Sequence, residues 1–173
     1  MSTKITGWLF AGLVATFLGA CNDDDDKVML EQSDLDYLNR ITEANLAEIE
    51  WSKIAKDSAT NTAVVLYANQ MITEHQLAQD SVDSLATVYQ ATLTRQMDTF
   101  RLRLRDTLRT RRRSREYDTL YMGLQIRLHE ALMTQLMAAA ANGRQEGVRT
   151  MAARQLQHTY RHRDSAVALK GRL

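Results

Sequence analysis

The stretch "NTAVVLYANQMITEHQLAQDSVDSLATVY", Asn61 to Tyr89, decides the fold. Within it Val64, Ala68, Met71, His75, Ala78, Val82, Leu85 and Tyr89 recur at alternating spacings of four and three. That rhythm places them on one face of an α-helix and off any strand alternation. The chain contains no proline, so nothing inside the stretch breaks a helix. A stripe so long must face other helices, and it carries an imidazole at its centre.

The same rhythm recurs on both sides. Upstream, Ser33-x-x-Asp36 reads as a capping-box start for a helix ending near Ser58, with "SATNT" (Ser58 to Thr62) as the break. Downstream, Met122, Ile126, His129, Met133, Leu136 and Ala140 define a helix from about Tyr117 to Asn142, which Gly143 stops. A last helix covers about Gln145 to Leu169, its stripe being Val148, Ala152, Leu156, Thr159, His162, Ala166 and Leu169. Between the second and third long helices, Met97, Phe100, Leu104 and Leu108 support a short connecting helix. "RTRRRSRE" (Arg109 to Glu116) has no apolar anchor and reads as its frayed end and a loop. The predicted fold class is all-α: a four-helix bundle with a short connecting helix.

The N-terminus follows other rules. Lys4 precedes the apolar run "ITGWLFAGLVATFLGA", which is too short for a membrane span but suits an export signal. Leu18-Gly19-Ala20-Cys21 resembles the lipobox of bacterial lipoproteins, in which the cysteine is acylated after cleavage before it. Residues 1–20 are thus expected to be a lipoprotein signal peptide, with Cys21 as the lipidation site and the partner a membrane, reached through acyl chains. The run "NDDDDKVMLEQS" cannot bury enough apolar surface to fold, so 21–32 reads as an acidic tether. It resembles acidic signals that send lipoproteins to the outer face of the outer membrane; the alternative is a plain solvated spacer. The bundle domain is 33–173. The expected location is the bacterial outer membrane, facing either the cell surface or the periplasm.

Cys21 is the one cysteine, so no disulfide is available within the chain. Charge is unevenly distributed: 15 acids against 5 bases from Cys21 to Phe100, then 6 against 16 from Arg101 onward. Mutual attraction of the halves favours one bundle over two domains. Arg111, Arg112 and Arg113 suit contact with anionic envelope lipids, or a solvated loop that answers the acidic half. Nucleic acid is not an expected partner, because the basic run lacks interleaved aromatics for stacking.

"NLAEIEWSKIAKDSA", "ANQMITEHQLAQDSVDSL", "EYDTLYMGLQIRLHEALM" and "VRTMAARQLQHTYRHRDSAVAL" resemble, in order, the blocks of a bacterial envelope family, domain of unknown function 4142. The likeness covers about residues 33 to 169 and implies a ferritin-like version of the bundle. Its pattern falls on Glu74-His75, on Tyr121-Met122 with His129, and on His162. The acid that usually precedes the second histidine is replaced by Leu128. The family brings no settled activity with it.

Two readings of function are open. In one, the lipid-anchored bundle binds a ligand or maintains the envelope without catalysis; no Gly-x-Ser-x-Gly elbow or glycine-rich phosphate loop is present. In the other, His75, His129 and His162, each on the core line of a different helix, converge on a transition metal, with copper or zinc suited to imidazole donors. His158 lies one turn before His162 and is a further candidate. Glu50, flanked by Leu46 and Ile54 one turn either side, is the preferred carboxylate over Glu48. A di-iron centre is disfavoured, since Ile72, Ile126 and Thr159 occupy the positions where Glu-x-x-His would need acids.

Overall fold

A computed structural model describes residues 29–111, 113 and 115–173, with Arg115 described in its backbone alone. The expected signal peptide, Cys21, most of the expected acidic tether and Arg112 lie outside the described residues. Four long helices, α1 (Gln32–Ser58), α2 (Thr62–Val88), α4 (Arg115–Asn142) and α5 (Glu146–Lys170), form the bundle, and the short α3 (Thr99–Thr110) connects its halves. The all-α bundle with a short connector is the architecture that the stripes predict.

The chain forms two helical hairpins, α1–α2 and α4–α5, and each is pinned by an acid from the other. Asp34, in the first turn of α1, accepts from the backbone N–H groups of Arg144 (2.9 Å) and Gln145 (2.8 Å) at the start of α5. Asp118, in the first turn of α4, accepts from Thr60 N–H and from Asn61 N–H (2.8 Å) at the start of α2. The same spacing separates Asp34 from Asp118 and Asn61 from Gln145, so the second hairpin repeats the device of the first. Orphan amides at helix N-termini attract carboxylates, and here the carboxylates arrive from across the bundle. The expected capping box at Ser33 does not form. Helix α1 begins at Gln32 without a side-chain cap, and Asp34 caps α5 instead.

Helix α3 lies against α1. Leu108 is fully buried beside Trp51, with Leu104 and Met97 packed on the same cluster. Arg101 pairs with Glu43 (3.1 Å), and Arg109 with Glu50 (2.8 Å), so basic and acidic halves do meet. Phe100, expected on the inward face, is 60% exposed. It sits in the first turn, and the line continuing inward from Leu108 and Leu104 passes through Arg101 to Met97. Arg111 and Arg113 are exposed, and the backbone N–H of Arg113 bonds Ser58 O (3.0 Å).

Two apolar clusters fill the bundle. One holds Trp51, Tyr67, Met71, Tyr117, Tyr121 and Met122; the other holds Leu38, Ile41, Val82, Leu132, Leu136 and Met151. Asn45, Glu48, His75, Gln79, Gln125, His129, Thr159 and His162 are buried polar residues of the four long helices. Polar groups removed from water are tolerated when they are bonded, which makes their partners the question.

Candidate metal centre

His75 of α2, His129 of α4 and His162 of α5 meet in the bundle interior, each no more than 4% exposed. Their ring centroids form a near-equilateral triangle, 5.4, 5.4 and 5.3 Å on a side. One ring nitrogen from each residue lies within 4.8 Å of the other two, so the three can hold a metal ion.

The hydrogen bonds behind the rings decide which nitrogens carry protons. His129 Nδ1 is 2.8 Å from the carbonyl oxygen of Gln125, which can only accept, so Nδ1 bears the hydrogen and Nε2 a bare lone pair. His75 is fixed by a longer chain. At its far end the Asp83 carboxylate, which is paired with Arg95 (2.7 Å), accepts from Gln79 Nε2 (2.7 Å). Gln79 must then turn its carbonyl oxygen to Asn45 Nδ2 (3.3 Å), and Asn45 must turn its own to His75 Nδ1 (3.0 Å). His75 therefore donates from Nδ1 and leaves Nε2 bare. His162 donates from Nε2 to Glu74 Oε2 (2.7 Å), and its buried Nδ1 has no partner among the described residues.

His75 Nε2 and His129 Nε2 stand 3.4 Å apart with lone pairs on both and no proton between them. Nitrogens bound to a tetrahedral ion at about 2.0–2.1 Å stand about 3.3 Å apart. Burial, then the neighbouring rings, push His75 well below the ordinary imidazole range. Burial and His162 push His129 down to about 3. Burial also lowers His162, against the raising effect of Glu74. All three are neutral near pH 7, the form that binds metal. A carboxylate or carbonyl behind each ring is the outer shell that ligating histidines use.

The acids are placed differently from the sequence expectation. Glu50 turns outward to Arg109 and Arg105 on α3. Glu48 is the buried one, because the inward line of α1 runs through Ile41, Asn45, Glu48 and Ser52, not through Leu46 and Ile54. Its Oε2 accepts from Gln125 Nε2 (2.6 Å), while Oε1 has no hydrogen bond among the described residues and is 3.6 Å from His129 Nδ1. This is not an ion pair, since burial raises Glu48 to about 8 and keeps it protonated at neutral pH while His129 is neutral too. Glu74, adjacent to His75 in sequence, serves His162. Burial would raise it, but hydrogen bonds from Gln70 and His162 prevail and lower it. His158 lies outside the cluster: it is exposed, and its Nδ1 accepts from Arg161 (2.8 Å).

Asn45, Gln79 and Gln125 were not legible as site residues from composition. The signal was there in spacing: Gln79 lies one turn beyond His75 and Gln125 one turn before His129, on the same inward lines. The Asn45 amide, oriented by Gln79, holds His75, and the backbone carbonyl of Gln125 holds His129.

A family model described as Domain of unknown function (DUF4142) matches residues 20–169. The chain belongs to this family. The DUF4142 chain is also similar to a solved structure titled "Crystal structure of DUF305 fragment from Deinococcus radiodurans". The TM-score is 0.75 at 9% identity, covering 84% of this chain and 99% of that one, a likeness that shows the fold alone. No curated protein matches the chain.

Proposed function

We propose that this DUF4142 protein is a lipid-anchored envelope protein whose bundle binds one divalent transition metal through His75, His129 and His162. The observation that carries the metal reading is the pair of bare nitrogens 3.4 Å apart, His75 Nε2 and His129 Nε2, each locked in that tautomer from behind. Without a cation between them, two buried acceptors face each other at a cost of about 1–3 kcal/mol each. Three neutral imidazoles favour copper, zinc or nickel over magnesium or calcium. Among the described residues the carboxylates near the rings act behind them, not between them, which argues against a carboxylate-rich di-iron centre.

Thermal unfolding with Cu(II), Zn(II) and Ni(II) tests this. One metal should stabilise the chain saturably, by about 2.7 kcal/mol at a hundredfold excess over its dissociation constant. His75→Gln, His129→Gln and His162→Gln should each abolish the response. A response lost only on changing His158 would reassign it to the surface.

The anchor rests on Leu18-Gly19-Ala20-Cys21 and the apolar run before it. Cys21→Ser should abolish labelling by radioactive palmitate and leave the precursor uncleaved; undiminished label would remove the anchor from the account. The acidic run after Cys21 supports a cell-surface address, and Arg111 to Arg113 support contact with anionic envelope lipids.

A further inference from the structure

A cleft of about 440 Å³ lies between α2 and α5. His75 and His162 are on its lining, together with Leu77, Leu132, Arg154 and Arg161. Arg154 and Arg161 are exposed, and among the described residues neither has a carboxylate partner. Arg161 donates to the carbonyl of Gln157 (3.3 Å) and to His158 Nδ1 (2.8 Å), neither of them a carboxylate. Glu74, the acid on the lining, has its carboxylate engaged by His162 and Gln70, with His158 Nδ1 3.5 Å away. The cleft therefore joins two uncompensated guanidiniums to two of the three histidines.

We infer that this cleft binds a small organic anion, a carboxylate with a short apolar body, which supplies an outside ligand to the ion. The inference rests on the metal reading. Three imidazoles leave a tetrahedral ion one open position, the pattern of sites that admit water or substrate. A divalent ion on three neutral rings adds charge that Glu74 alone does not offset, and the arginines add more. An anion is the species this field concentrates. Leu77 and Leu132 give the cleft apolar walls, which distinguishes an organic carboxylate from a bare inorganic anion.

The full chain in detergent, loaded with Co(II) and with metal content measured directly, provides the test. Acetate, butanoate and hexanoate are titrated while the visible cobalt bands are followed. Each should shift the bands saturably, with affinity rising by up to about fourfold per methylene buried against the walls. Arg154→Met combined with Arg161→Met should weaken all three by roughly tenfold or more while cobalt content stays at one per chain. Leu77→Ser should remove most of the advantage of hexanoate and leave acetate unchanged. All three side chains lie on the surface rim, so these variants keep the core intact. Stoichiometric cobalt whose bands ignore every carboxylate overturns the cleft inference and leaves the metal reading standing. Carboxylate binding that is undiminished in the arginine variant overturns it too. A chain that retains no cobalt and is stabilised by none of Cu(II), Zn(II) and Ni(II) overturns both.

Discussion

At the scale of the residue, the decisive feature is where protons sit. Asn45 and the Gln125 carbonyl face the rings from behind and leave the inner nitrogens bare. The same burial makes the metal-free chain sensitive to pH in two directions. The folded-state values of the three histidines are lowered, so the unfolded chain takes up protons below about 6.5 that the folded chain refuses. Their contribution is present above about pH 6.5 and lost as pH falls. Glu48 is raised to about 8, so its contribution is present below about pH 4.5 and lost as pH rises towards 8. Between about 4.5 and 6.5 the two effects oppose, and several histidines outweigh one acid. Stability of the metal-free chain should therefore peak near pH 6.5. From there to pH 8 it should fall by about 2 kcal/mol, one proton's worth of linkage. Urea unfolding at pH 5, 6.5 and 8 reads this directly. Glu48→Gln should remove the alkaline decline and keep the acid one; a decline unchanged in that variant would contradict the assignment.

Among the elements, the helix stripes were legible because burial imposes a period on the sequence. The four long helices, the break at "SATNT" and the stop at Asn142 all follow from it. Rotation about each helix axis was less legible. On α2 the predicted Ala78 and Leu85 are only half-buried, whereas Tyr67, Gln79 and Ala86, outside the predicted stripe, join Met71 and His75 among the buried residues. Gln79 and Asn45 look like surface residues until a partner amide is found, and no periodicity argument supplies that partner. Glu50 and Glu48 differ by two positions, and apolar neighbours one turn away do not fix the inward line that selects Glu48. The caps were illegible for a related reason: Asp34 and Asp118 serve helices far along the chain. Their role gives a sharp expectation. Asp118→Ala leaves Thr60 N–H and Asn61 N–H at the start of α2 without acceptors, and should cost about 2–3 kcal/mol in urea unfolding. Asp118→Asn, which keeps one acceptor oxygen, should recover part of that loss. A cost below about 0.5 kcal/mol for Asp118→Ala would show that water replaces the cap.

For the molecule as a whole, two helical hairpins clasp each other through reciprocal acid caps and bring three histidines from three helices to one point. The bundle belongs to DUF4142 and shares its architecture with the DUF305 fragment at 9% identity. Architecture so weakly tied to sequence supplies no function, so the function must be argued from the site. X-ray absorption at the zinc edge, on the full chain loaded with one Zn(II), tests that argument most directly. The account predicts a first shell of three imidazole nitrogens at about 2.0–2.1 Å with one oxygen ligand, and loss of that shell in His129→Gln. A shell of oxygens, or an imidazole count that His129→Gln leaves unchanged, would contradict it.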